Sequence, residues 1–183
     1  VRPGIEGGRL KARKETRKSK ITVFKRRALL VIENKASGPK GLFTAFVKAE
    51  ELIPAAHNTL QPEWYAVMGA GDDGGSMGRD MRVWVSPISS GGAVQATGFR
   101  NIAGAEFVAH QVVKADIGDL AQRYAKFLKA VRAKGHTPVD GAERIAWVLK
   151  VPSDTKDHPA GVDLAQPDDK PWTFDLQVAV SGK

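Results

Sequence analysis

Residues 116–134, DIGDLAQRYAKFLKAVRAK, carry the clearest periodic signal in the chain. Ile117, Leu120, Ala121, Tyr124, Phe127, Leu128 and Val131 recur at three- and four-residue spacing, which predicts a helix with one apolar stripe. Asp116 is placed as its N-cap, with Asp119 three residues on, and Gly135 as the left-handed residue that ends it. Arg123, Lys126, Lys129, Arg132 and Lys134 occupy the other faces, where the positive end suits the helix dipole.

The flanking sequence predicts strands. Residues 104–113 (GAEFVAHQVV) precede the helix, and residues 144–151 (RIAWVLKV) and 172–180 (WTFDLQVAV) follow it. The order β-α-β-β, with an apolar stripe to bury against one sheet face, predicts a two-layer α+β module over 95–181. Residues 21–87 repeat that order. ITVFKRRALLVIE (21–33) reads as a strand or bulged pair of strands. A helix over 41–55 follows, with Leu42, Phe43, Phe46, Val47, Leu52 and Ile53 apolar and Pro54 at its end. Strands at 64–68 and 81–85 complete the unit, and SPISSGG (86–92) reads as a linker. The Trp64 strand corresponds to the Arg144 strand, and MRVWV (81–85) to the strand holding Asp175. The expected fold is therefore α+β: duplicated β-α-β-β modules with pseudo-two-fold symmetry, antiparallel sheets, one main helix per module and a central cleft. Such seams are usual sites for small ligands.

The chain's net charge of +8 is concentrated at one end. Residues 1–27 hold 11 Lys/Arg against 2 Asp/Glu, and the remainder holds 17 against 18. Residues 1–20 read as a flexible basic arm before a single domain at 21–183, itself made of the modules 21–87 and 95–181. Arg9, Lys11, Arg13, Lys14, Arg17 and Lys18 could touch nucleic-acid phosphates without sequence preference, although a merely solvated terminus explains them as well. The absence of cysteine excludes a disulfide framework, a thiol nucleophile and a cysteine-ligated metal. No apolar run is long enough for a membrane helix, so a cytoplasmic protein with no membrane partner is expected.

Catalytic signatures are missing. GAGDDG (69–74) matches a dinucleotide fingerprint in letters, but a strand follows it where the fingerprint needs a helix, so it reads as a hairpin loop. His57, His110, His136 and His158 are scattered, which gives no metal-ligand spacing, and no cofactor or metal is expected. Trp64, Trp84, Trp147 and Trp172 all lie on or beside strands. Core packing explains any one of them; several together around an acid could also box an organic cation.

Residues 101–152, closing with TFDLQVAV (173–180), resemble the GyrI-like small-molecule-binding domain, which also forms the effector-binding half of some AraC- and MerR-type transcription regulators. Gly104, Asp119-Leu120, Lys134-Gly135-His136-Thr137-Pro138 and Pro152 carry the resemblance. It implies a pocket with an acidic residue on the last strand, here Asp175 where relatives carry glutamate; the proline that usually follows is Ala179. It also implies that Trp147 stands where the family has a pocket tyrosine, with Tyr65, Trp84, Tyr124 and Trp64 as further ligand-facing aromatics. The expected function is binding of a hydrophobic, cationic small molecule, with bacterial drug sensing or transcription regulation as its setting and no catalytic residue required. Some proteins of this fold resemble hydrolases of strained rings, and there Asp175 with Tyr65 or Tyr124 would activate water.

Overall fold

The computed structural model describes residues 20–53, 62–69, 78–87, 98–151 and 171–182. Arg9, Lys11, Arg13, Lys14, Arg17 and Lys18, and most of the glycine-rich 69–74 segment, lie outside those residues. Eight strands form among the described residues: β1 (Thr22–Arg26), β2 (Leu29–Lys35), β3 (Glu63–Met68), β4 (Arg82–Ser86), β5 (Arg100–Ile102), β6 (Ala105–Ala115), β7 (Arg144–Lys150) and β8 (Trp172–Ala179). Two helices accompany them, α1 (Leu42–Glu51) between β2 and β3 and α2 (Leu120–Ala133) between β6 and β7. Each β-α-β-β module is thus preceded by one short extra strand, β1 or β5.

The strands make one antiparallel sheet in the order β1-β6-β8-β7-β3-β4-β2-β5. Exchanging the two halves of the chain reverses this order into itself, so a pseudo-two-fold axis passes between β3 and β7. The extra strands are swapped: β1 pairs with β6 of the second module, and β5 with β2 of the first.

That swap dictates curvature. Residues 27–28 alone join β1, at one edge, to β2, six places away in the sheet. Six strand spacings in a flat sheet span roughly 29 Å, whereas three residue steps reach only about 10 Å. The sheet must curl into a half-barrel, and the equally short β5–β6 link demands the same. The two links touch where they cross. A Cβ on Gly104 would lie 2.7 Å from the Arg26 carbonyl oxygen and 3.1 Å from the Ala28 nitrogen, so the crossing requires glycine there.

Both helices pack on one face of this sheet. The stripe of α2 is buried as its periodicity predicts, through Leu120, Ala121, Tyr124, Phe127, Leu128 and Val131; α1 buries Leu42, Ala45, Phe46 and Ala49. They cover Ala66, Val83, Val85, Ala109, Phe174, Leu176 and Val178 of the strands. Gly135 has φ +88°, and the bonds Gly135 N–H to Arg132 O (2.9 Å) and His136 N–H to Val131 O (3.2 Å) close a Schellman end. The other end differs from the expectation. Asp116 is extended and makes no side-chain cap; a 3-10 turn, Ile117–Asp119, leads into the α-helix at Leu120. The first helix is also shorter than 41–55, and Leu52 is 65% exposed just beyond it. No helix among the described residues is long and apolar enough to cross a membrane.

Candidate functional site

Strand alternation sends every second side chain to the face without helices, the inner face of the curl. Cross-strand register then aligns one row over six strands: Val112, Asp175, Trp147, Tyr65, Trp84 and Glu33. Tyr65 and Trp147 are direct partners across the pseudo-two-fold axis, with ring centroids 6.1 Å apart and planes 19° from parallel. Four of the six sequence-predicted ligand residues share this row: Asp175, Trp147, Tyr65 and Trp84.

The remaining two lie on the opposite face. Trp64 follows Glu63 and precedes Tyr65 in one strand, so it points to the helices, where it stacks on Phe46 at 4.6 Å. Tyr124 is fully buried beneath α2, and its hydroxyl donates to the backbone carbonyl of Gln177. Both are separated from the cleft by the sheet itself.

The cleft has a volume of about 370 Å³, within the range of small-molecule sites. Its floor is Tyr65, Trp147 and Gln177. Its rim is Phe24 to Arg27 with Leu29, the segment that carries the β1–β2 link, and Glu63 closes one side. Trp84 is at 0% exposure, packed with Leu29, Val31, Val67, Ile102 and Ile145 rather than lining the space. Its indole Nε1 donates to Glu33 Oε2 at 2.7 Å, and Arg82 and Arg100 also converge on Glu33, at 3.3 and 2.8 Å.

Asp175 stands one step behind the floor. Buried to 5% exposure, it accepts from His110 Nδ1 at Oδ1 (2.9 Å) and from Gln177 Nε2 at Oδ2 (3.0 Å). The imidazole Nδ1–H points at Asp175, and Nε2 lies within hydrogen-bond distance of the Thr22 hydroxyl, at 2.7 Å. The same bond fixes the Gln177 amide, with its nitrogen toward Asp175. Both oxygens of Asp175 are engaged within the protein.

Among the cleft residues that escaped the sequence reading are Arg26, Glu63 and Gln177. Glu63 accepts from the Tyr65 hydroxyl at Oε2 and from Arg27 Nη2 at Oε1, the latter at 2.6 Å. Burial, reinforced by this bond to Glu63, pushes the Tyr65 phenol far above its ordinary value of 10.0, so it remains a neutral donor. Arg26 is half-buried; its Nε and Nη1 are shielded from solvent and have no hydrogen-bond partner among the described residues. Desolvation pulls its pKa down from 12.5. A signal for two of these exists in the sequence: Glu63 and Gln177 lie two residues from Tyr65 and Asp175 on the same strands, hence on the same face. No group of three or more potential metal ligands gathers among the described residues.

No family model and no curated protein matches the chain. Solved structures do. EcmrR, determined by cryo-EM as a DNA complex, superposes with a TM-score of 0.56 at 13% identity, over 97% of this chain and 63% of that one. The present chain thus spans less than two thirds of the EcmrR chain. An uncharacterized conserved protein from Listeria innocua gives a TM-score of 0.49 at 9% identity, covering 94% of this chain and 98% of that one. A hydrolase from the same organism gives 0.49 at 10% identity, over 94% and 98%. At such identity the likeness to EcmrR is one of fold alone.

Proposed function

We propose that this chain binds a planar aromatic small molecule in the cleft, with Tyr65 and Trp147 as the stacking floor. The observation that carries this reading is their pairing across the pseudo-two-fold axis, at the bottom of a cleft of about 370 Å³. An aromatic ring stacked there gains dispersion and quadrupole interactions beyond its simple area burial. The inner-row location of Asp175 supports a positioning role, in which it holds Gln177, rather than direct pairing with a ligand cation. Titration of indole, a neutral planar probe, into the full chain by calorimetry tests the floor. Saturable binding is expected, weakened about tenfold or more in Trp147→Ala while the fold stays intact by circular dichroism. Equal affinity in the variant would remove Trp147 from the site.

A second reading follows from Glu63 and Tyr65. A partly buried carboxylate hydrogen-bonded to a tyrosine inside an aromatic cleft can serve hydrolysis of a strained three-membered ring. Water would attack a ring carbon while Glu63 takes its proton; the carbon–oxygen bond breaks, the Tyr65 hydroxyl turns from Glu63 to give its proton to the released oxygen, and the Glu63 carboxyl returns a proton to the phenolate. Each Glu63 oxygen retains a lone pair for water beside its present partner. Styrene oxide is a suitable probe. Conversion to the diol above the solvent rate, reduced about a hundredfold in Glu63→Gln, is the expected result for an enzyme. No acceleration by the unaltered chain would exclude this chemistry for aryl epoxides and leave binding alone.

A further inference from the structure

Charge in the cleft does not balance. Lys25, Arg26 and Arg27 line it, with Glu63 as the acid among the lining residues. Lys25 turns outward to Glu106 at 3.2 Å, both 71% exposed, and Arg27 is satisfied by Glu63. Arg26 remains. Its Nε and Nη1 are buried without a partner among the described residues, on a side chain that borders the cleft. A buried donor without a partner costs more than a formed bond returns, and a charged one costs most. Such a group in a native structure calls for an explanation, and a bound anion is one.

A second orphan lies on the floor. Gln177 Oε1 is buried and unpartnered, because Asp175 claims the amide nitrogen and thereby turns the oxygen away from itself. An amide flip would set that oxygen against a carboxylate, so the orientation is locked by like polarity. The residues that line the cleft therefore hold one cationic donor and one neutral acceptor without partners, both closed to solvent beside the aromatic floor.

We propose that the ligand is an aromatic molecule carrying both an anionic group, received by Arg26, and an N–H or O–H donor, received by Gln177 Oε1. The proposal rests on the aromatic-floor reading above and adds to it the sign of the charge. It reverses the expectation of a cationic ligand, which assumed that Asp175 would face the guest. Asp175 lies behind the floor, buried and already accepting from His110 and Gln177, whereas Arg26 holds two unpartnered nitrogens on a side chain that borders the cleft. Guanidinium–carboxylate bonds are charge-assisted and strengthen as water is excluded.

The test compares three probes that share the indole ring: indole-acetic acid (an anion at neutral pH), its neutral alcohol tryptophol, and the cation tryptamine. Each is titrated by calorimetry into the unaltered full chain. The acid is expected to bind about tenfold or more tightly than the alcohol, and the amine most weakly. Methylation of the indole nitrogen should weaken the acid several-fold by removing the donor to Gln177. In Arg26→Met, which keeps the apolar stem, the advantage of the acid over the alcohol should disappear. Arg26→Lys should retain part of the preference. Tighter binding of the amine, equal binding of acid and alcohol, or an undiminished acid preference in Arg26→Met would overturn this inference while leaving the aromatic floor in place. Failure of all three probes and of indole would overturn the floor itself, and the charge assignment with it. The comparison on the unaltered chain decides the sign even if a variant does not fold.

Discussion

Above about pH 10 the folded state is expected to lose stability at about 2.7 kcal/mol per pH unit, from two phenols alone. Tyr65 and Tyr124 are the chain's only tyrosines, and both are raised well above 10.0 in the native protein. Burial is the main cause in each case; for Tyr65 the bond and the charge of Glu63 add to it. In the unfolded chain each phenol ionises near 10, while in the folded chain each keeps its proton. Above that pH the unfolded state therefore binds fewer protons than the native state, and stability falls as pH rises. Each phenol's contribution is fully present below about pH 10 and is gone above its native pKa. Between about pH 10 and pH 12 the summed loss reaches about 4–5 kcal/mol, comparable with the whole stability of many domains. Denaturant midpoints measured across this range give the slope, and tyrosinate absorbance reports the protons directly. The absorbance should appear together with unfolding. Tyr124→Phe should remove about half of the pH slope. Tyrosinate forming near pH 10 in a still-folded chain would mean that neither hydroxyl is held as described.

The elements of this fold were legible because their periods are strong. The apolar stripe of α2 names six of its buried residues correctly, and the RIAWVLKV and WTFDLQVAV segments became β7 and β8 within a residue of their predicted ends. What periodicity cannot supply is the partner of a strand. The swap of β1 and β5 depends on contacts between halves far apart in sequence, and only the two-residue links and Gly104 hint at it. For α2 the start was also less legible than the end. Gly135 determines its own conformation through the lack of a Cβ, whereas Asp116 offers a cap that the 3-10 turn after it does not use.

The membership of the inner row was legible in part, and the residues placed elsewhere have separate physical reasons. Trp64 and Tyr65 are adjacent in a strand, so alternation forbids both from facing one cleft, and a one-residue choice decides every assignment. Tyr124 belongs to the helix stripe, and a stripe that packs on one face of a sheet cannot also reach the other. Arg26 was hidden by composition. Counted with the basic arm, residues 25–27 look like solvated charge; in the fold they sit at the end of β1 and roof the cleft. Charge in a sequence gives no sign of where the chain will curl back on it. Asp175 was found as an acidic residue of the inner row, yet the groups that occupy its oxygens come from β6 and from its own strand.

Trp84 separates packing from recognition in this row. It opposes Tyr65 in β4 as Asp175 opposes Trp147 in β8, so the two hold related places on either side of the axis. Asp175 organises polar groups there; Trp84 fills volume and is among the largest fully buried side chains. Trp84→Ala is expected to cost about 3–5 kcal/mol, from lost transfer energy and the cavity left behind. For a domain of this size that lowers Tm by roughly 10 °C. Trp84→Phe retains most of the apolar burial and loses only the indole donor to Glu33, whose carboxylate still has Arg82 and Arg100. Its cost should be about 1–2 kcal/mol. Because no atom of Trp84 borders the cleft, indole affinity should be unchanged in the folded Trp84→Phe variant, in contrast to the loss expected for Trp147→Ala. Thermal melts paired with calorimetric titration distinguish the two roles. A Trp84→Phe variant with an unaltered melt and a tenfold loss of indole affinity would place Trp84 against the ligand and overturn its assignment to the core.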